Sequence, residues 1–142
     1  MSAEGTAGAG VTPSRDFVLL ASRSDDDVAD AEYAAFVEFM GIPQERLRRI
    51  RLEAGPMPDL DLDDLAGIIV GGSPFTSSDP VESKTAVQLR VEREIDELLV
   101  EVCARDLPFL GACYGVGTLG VHLGGRVDTT FGEPVGAVPV SL

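Results

Sequence analysis

The run Leu65-Ala66-Gly67-Ile68-Ile69-Val70 contains no charged or hydroxylated residue and passes straight into Gly71-Gly72-Ser73-Pro74. A strand built from it has no face to give to solvent, so it must be covered on both sides. That is the setting of a central parallel strand, and it obliges the rest of the chain to supply helices for two faces. Asp16–Ala21 is a second apolar run and reads as a first buried strand. Ser24 before Asp25, Asp26 and Asp27 predicts a helix start, with a capping hydroxyl and then acids on the positive end of the dipole. Tyr33, Phe36, Val37 and Met40 recur at helical spacing as one buried stripe, and Gly41 and Pro43 end the helix. Leu47 to Leu52 alternates apolar residues with arginine, as suits a strand near a sheet edge.

The second half repeats the alternation. Ser83 to Arg105 predicts a long helix whose apolar stripe is Val87, Val91, Ile95, Leu98, Leu99 and Val102, with Cys103 packed beside it as a small side chain. Pro108-Phe109-Leu110 is a short strand, and a short helix follows to about Leu123, stopped by Gly124-Gly125. Arg126 to Leu142 reads as extended structure with turns at Gly132 and Pro134, and Val135 to Leu142 as a further strand. Residues 1–15, rich in Gly, Ala, Ser and Thr, read as a disordered tail, leaving one domain over 16–142.

Charge and punctuation exclude several function classes. Acidic residues outnumber basic ones 24 to 11, a net charge of −13 that repels nucleic acid and anionic membrane alike. No apolar run approaches the roughly 18 residues of a membrane span, and Met1 to Ser14 lacks the basic flank and apolar core of a signal peptide. A cytoplasmic chain with reduced thiols is expected. Cys103, Cys113 and the single histidine, His122, are too few for a zinc site of Cys and His, so no metal is expected. Asp59, Asp61 and Asp63 begin like a calcium loop, but Asp64 stands where the loop needs glycine and Val70 where it needs a bidentate glutamate. Gly115 to Gly120 satisfies G-x-G-x-x-G, yet Gly124-Gly125 stops the helix before a crossover can form, so no dinucleotide cofactor is expected.

The segment Gly111-Ala112-Cys113-Tyr114-Gly115 carries the chemistry. A G-x-nucleophile-x-G sequence between a strand and a helix is a nucleophile elbow, in which Gly111 and Gly115 must be small because the turn is tight. The following helix points the positive end of its dipole at the sulfur, and a thiolate is the species that attacks. The competing reading is a buried cysteine in a glycine-rich turn. Gly72-Ser73-Pro74 follows the neighbouring strand, and in a doubly wound sheet both loops open on one crevice. Backbone N–H groups there could join that of Tyr114 to hold an oxyanion.

Asp64 to Pro74, the long helix, Pro108 to Gly115 and Leu123-Gly124-Gly125 together resemble the class I glutamine amidotransferases, in particular proteins similar to the glutaminase part of GMP synthase. The resemblance spans about Asp16 to Leu142. It implies an α/β, flavodoxin-like three-layer sandwich with a mostly parallel central sheet, incomplete at the C-terminus. It implies that Cys113 attacks the side-chain amide of glutamine, releases ammonia and forms a glutamyl thioester that water hydrolyses. Tyr114 and Ser73, with Gly72 shaping the turn, would then form the oxyanion hole. Ammonia would pass to a separate synthetase, because no P-loop is present. Two departures stand out. Gly117 occupies the position where many members carry a substrate-gripping glutamine, which keeps open a γ-glutamyl hydrolase acting on other amides. The sequence contains no His-x-Glu segment, where the family keeps its catalytic pair, and His122 lies nine residues beyond Cys113, ~13 Å along a helix. The 142 residues are therefore expected to be the front part of a longer enzyme, inactive alone, or else a non-catalytic binding module.

Overall fold

Strands β1 (Asp16–Ala21), β2 (Leu47–Arg51), β3 (Leu65–Val70) and β4 (Phe109–Gly111) form one parallel sheet in the order β2-β1-β3-β4. Helix α1 (Asp26–Met40) follows β1, α2 (Ala86–Arg105) follows β3 and α3 (Tyr114–His122) follows β4, while β2 passes to β3 without an α-helix. The computed structural model describes residues 15–132, 136–137 and 139–141; all but the last residue of the tail expected over 1–15, and the turn expected at Pro134, lie outside them. Successive strand residues point to opposite faces, and the core divides accordingly. Leu19, Leu47 and Ile69 meet the α1 stripe of Tyr33, Phe36, Val37 and Met40 on one side. Val18, Leu20, Ile68 and Val70 meet Val91, Ile95, Leu99 and Val102 of α2 and Tyr114 of α3 on the other. Two helical layers thus enclose the sheet, the three-layer α/β, flavodoxin-like arrangement that an unalternated β3 demands. β3 is interior and β2 lies at an edge, as their patterns require.

The chain winds outward from β1 to β2 and then reverses, so the carboxyl ends of β1 and β3 flank the topological switch point. Glycine closes α1 as expected: Gly41 adopts φ 62°, ψ 31° and its N–H returns to Glu38 O.

Several local expectations need correction. The α1 cap is Asp25, whose side chain accepts from the Val28 N–H, one residue after Ser24. Arg51 binds Ser24 through its carbonyl oxygen instead, 3.4 Å away. Helix α2 starts at Ala86 behind a Thr85 cap, and its first turn faces the polar 73–85 loop rather than the sheet. Val87 is consequently exposed, whereas Gln88 is buried and its amide donates to Thr76 O at 3.2 Å and Glu92 Oε1 at 3.1 Å. Cys103 is exposed rather than packed: it follows Val102 on the helix, and the ~100° step between neighbours turns it away from the sheet. A turn forms at Gly132, whose N–H donates to Thr129 O, but the described residues among 135–142 form no strand.

Candidate active site

Strands β3 and β4 end level, with Val70 opposite Gly111, so the segments that follow them meet at one place. The Ala112 N–H donates to Val70 O at 2.9 Å, continuing the ladder one residue past β4. The chain then turns at once: Gly115 N–H reaches Ala112 O at 3.0 Å, Val116 N–H reaches Cys113 O at 3.1 Å, and α3 has begun. Only Ala112 and Cys113 separate strand from helix.

This abruptness strains the backbone at Cys113, which adopts φ 55°, ψ −106°. Asp106 is the other non-glycine residue with positive φ among the described residues, and at φ 52°, ψ 40° it sits in the ordinary left-handed well. Cys113 does not. A side chain is held in such a conformation only when its surroundings over-determine it, as they do at active sites. Here the obstacles are backbone atoms. A Cβ on Gly111 would come within 2.5 Å of Gly115 O, and one on Gly115 would run into Val70 O. Both positions have room for hydrogen alone, and the sulfur between them is exposed rather than buried.

Tyr114 opens α3, and its first-turn N–H has no acceptor four residues back. Its ring is buried and meets Phe75 edge-on, with centroids 6.1 Å apart at 72°. The phenol is held far above its usual range by burial and then by the charge of Glu92, and its hydroxyl has no partner among the described residues.

The β3 loop reaches the same spot from the other side. Gly71 N–H donates to Leu20 O at 3.1 Å, tying the loop to β1. Gly72 N–H donates to Glu32 Oε1 at 2.7 Å, so it is committed to that carboxylate. Ser73 Oγ accepts from Phe75 N at 3.0 Å. Ser73, Cys113 and Tyr114 line one cavity of about 590 Å³, together with Ser77, Gly117, Arg126 and Asp128. Gly72 is not among its walls.

Gly117 gives onto Ser77 rather than open space: a Cβ there would lie 2.7 Å from Ser77 Oγ, itself buried and without a partner among the described residues. His122 turns away from the sulfur. Its Nδ1 lies 2.7 Å from Asp96 Oδ1 on α2, and it does not line the cavity. Among the described residues no cluster of three or more His, Cys, Asp or Glu could hold a metal ion. Asp61 instead accepts from Asp63 N, and Asp63 pairs with Arg105. A second concavity of about 500 Å³, between Met57–Leu62 and α2, presents Asp59, Glu94, Glu97 and Glu101 and no nucleophile.

Sequence reasoning passed over Glu32 and Ser77. The signal for Glu32 was the doubled glycine after β3: space beside Gly71 is filled by the Glu32 carboxylate, and space beside Gly72 by the Arg23 guanidinium.

No protein-family model matches the chain, and a search of curated proteins returned no match. Among solved structures, a glutamine amido transferase from Methylobacillus flagellatus is similar, with a TM-score of 0.50 and 18% identity. The likeness covers 78% of this chain and 39% of that one, so the present chain spans about two fifths of its neighbour's length. At that identity the likeness is one of fold. No described helix is long and apolar enough to cross a membrane.

Proposed function

We propose that this chain carries the nucleophile of a class I amidotransferase-type glutaminase. The observation that carries the reading is the backbone of Cys113, an exposed thiol at φ 55°, ψ −106° between two glycines that backbone atoms keep bare. In the reaction, Sγ adds to the side-chain amide carbon of glutamine. The Ser73 and Tyr114 N–H groups hold the resulting oxyanion, worth about 3 kcal/mol per well-placed donor in related acyl transfers. Collapse expels ammonia and leaves a glutamyl thioester, and water cleaves that to glutamate and free thiol. Two protons must move, onto the leaving nitrogen and off the attacking water. The described residues give Cys113 no histidine partner, because His122 is held by Asp96. The resemblance assigns the shuttle to a His-x-Glu segment that the 142 residues do not contain. By themselves these residues therefore acylate slowly and turn over poorly, and ammonia from a complete enzyme goes to a synthetase.

Gly117 favours a second reading within the same chemistry. With no side chain at that position to grip free glutamine, the substrate is another γ-glutamyl amide, and the enzyme a γ-glutamyl hydrolase. Either way the nucleophile is the same.

The test is covalent capture. Incubating the folded protein with the glutamine-analogue electrophile diazo-oxo-norleucine and mapping the adduct by mass spectrometry is expected to find it on Cys113 and not on Cys103. An unlabelled Cys113 overturns the reading in favour of a non-catalytic binding module. Competition by glutamine against γ-glutamyl conjugates then separates the two substrates.

A further inference from the structure

Glu32 lies on α1, on the far side of the 71–74 loop from the sulfur, yet its carboxylate reaches that loop. Oε1 accepts from Gly72 N at 2.7 Å and from Arg23 Nε at 3.3 Å. The side chain is 14% exposed, and Oε2 is buried with no partner among the described residues. A largely buried carboxylate that spends one oxygen on a backbone N–H does so to fix that backbone. The loop makes room for it: Cβ atoms at Gly71 and Gly72 would each lie 3.0 Å from a Glu32 carboxylate oxygen. Two glycines in succession leave a loop free to wander. The Gly72 N–H is pinned all the same, one residue before Ser73.

We infer that Glu32 is a positioning residue: by holding the Gly72 N–H it anchors the Gly71–Gly72 peptide, and with it the start of the next peptide, whose N–H belongs to Ser73 in the wall of the Cys113 cavity. This inference rests on the proposed thioester chemistry. Glu32 touches neither the substrate nor the reacting atoms. What it supplies is geometry, and a misplacement of ~1 Å in such a group can cost about 100-fold in rate. The reach of the hydrogen bond is the working part, since an amide oxygen at the same reach still accepts from Gly72, although more weakly than a carboxylate, whereas a shorter carboxylate cannot span the gap.

Three variants separate these elements: Glu32→Ala removes everything, Glu32→Asp keeps charge without reach, and Glu32→Gln keeps reach without charge. Labelling of Cys113 is measured with two reagents. A γ-glutamyl chloromethyl ketone acquires an oxyanion as Sγ adds to its carbonyl, before chloride leaves. Iodoacetamide is attacked at its methylene with loss of iodide and needs no oxyanion hole. Amide hydrogen exchange at Gly72 and Ser73, followed by NMR, reads the loop directly and also shows whether each variant is folded.

The expected result is a chloroketone rate about 100-fold lower in Glu32→Ala and Glu32→Asp, with faster exchange at both amides, near-native behaviour in Glu32→Gln, and unchanged iodoacetamide rates throughout. Chloroketone labelling and exchange that stay native in Glu32→Asp overturn the inference while leaving the thioester reading intact. If Glu32→Ala and Glu32→Asp fail to fold, loss of labelling in a folded Glu32→Gln overturns it too. A wild-type protein that iodoacetamide labels at Cys113 and the chloroketone does not overturns the thioester reading, and this role of Glu32 falls with it.

Discussion

The chain places two exposed cysteines within eleven residues of sequence, and they could hardly differ more in setting. Cys103 lies in the last two turns of α2, on regular helical backbone, its thiol turned to water. Cys113 stands between a strand and a helix in a conformation that L residues avoid, with Val70 O and Gly115 O closing the space around its neighbours. Thiol and exposure are shared; the backbone is not. Exposure alone therefore does not make a nucleophile here. What sets Cys113 apart is that β4 stops level with β3, so that its side chain shares a cavity with the amide-bearing loop of the adjacent strand. The largest predicted effect breaks or upholds this contrast. Cys113→Ala should abolish modification by a glutamine-analogue electrophile, and Cys103→Ala should leave its rate unchanged within about twofold, since the reagent needs the oxyanion site as well as a thiol. Equal labelling of both thiols would dissolve the distinction.

The next effect concerns the glycines of α3, which differ as sharply as the cysteines. A Cβ on Gly115 meets the backbone of Val70, which cannot move without shifting β3, whereas one on Gly120 meets only Val127 Cγ2 at 3.8 Å. Gly115→Ala should lose about 3 kcal/mol or more of stability in urea denaturation, as overpacking against fixed atoms does. Gly120→Ala should gain about 0.5 kcal/mol, because alanine is the better helix former. Gly117 falls between them, since its obstacle is Ser77 Oγ at 2.7 Å, the end of a side chain. Gly117→Gln is expected to cost about 1–2 kcal/mol; adding Ser77→Gly should recover most of that loss. Full additivity of the pair would mean that the two positions do not meet.

How far this was legible in the sequence follows the range of the forces involved. β3 announced itself because burial on both faces admits only apolar residues, and the elbow because backbone atoms admit only glycine on either side of it. Both are local exclusions, written at the position where they act. The engagement of the Gly72 N–H was not legible, because its acceptor, Glu32, lies 40 residues away and the pairing exists only after α1 has docked. Cys103 was misplaced by one step of a helix: a stripe fixes its centre better than its borders, and the neighbour of Val102 can fall on either side. Val87 was misjudged for a related reason, since periodicity cannot show that the first turn of α2 faces a loop instead of the sheet.

The smallest effect puts the two cysteines against each other on stability instead of reactivity. At Cys113 the dihedrals penalise any residue with a Cβ, by about 1–3 kcal/mol for strain of this kind, and glycine relieves it. Against that gain stands the larger unfolded-state entropy of glycine, about 0.5–1 kcal/mol relative to alanine. Cys113→Gly should therefore stabilise the protein by about 1 kcal/mol, while Cys113→Ala, which keeps the Cβ, stays near neutral. At Cys103 the helix is unstrained, so Cys103→Gly meets only the entropic term and should destabilise by about 0.5 kcal/mol. The same substitution thus carries opposite signs at the two thiols. Paired urea titrations of Cys103→Gly and Cys113→Gly against wild type read the difference directly. A Cys113→Gly protein less stable than Cys113→Ala would mean that the elbow holds no strain to release, and that its backbone does not set Cys113 apart from Cys103.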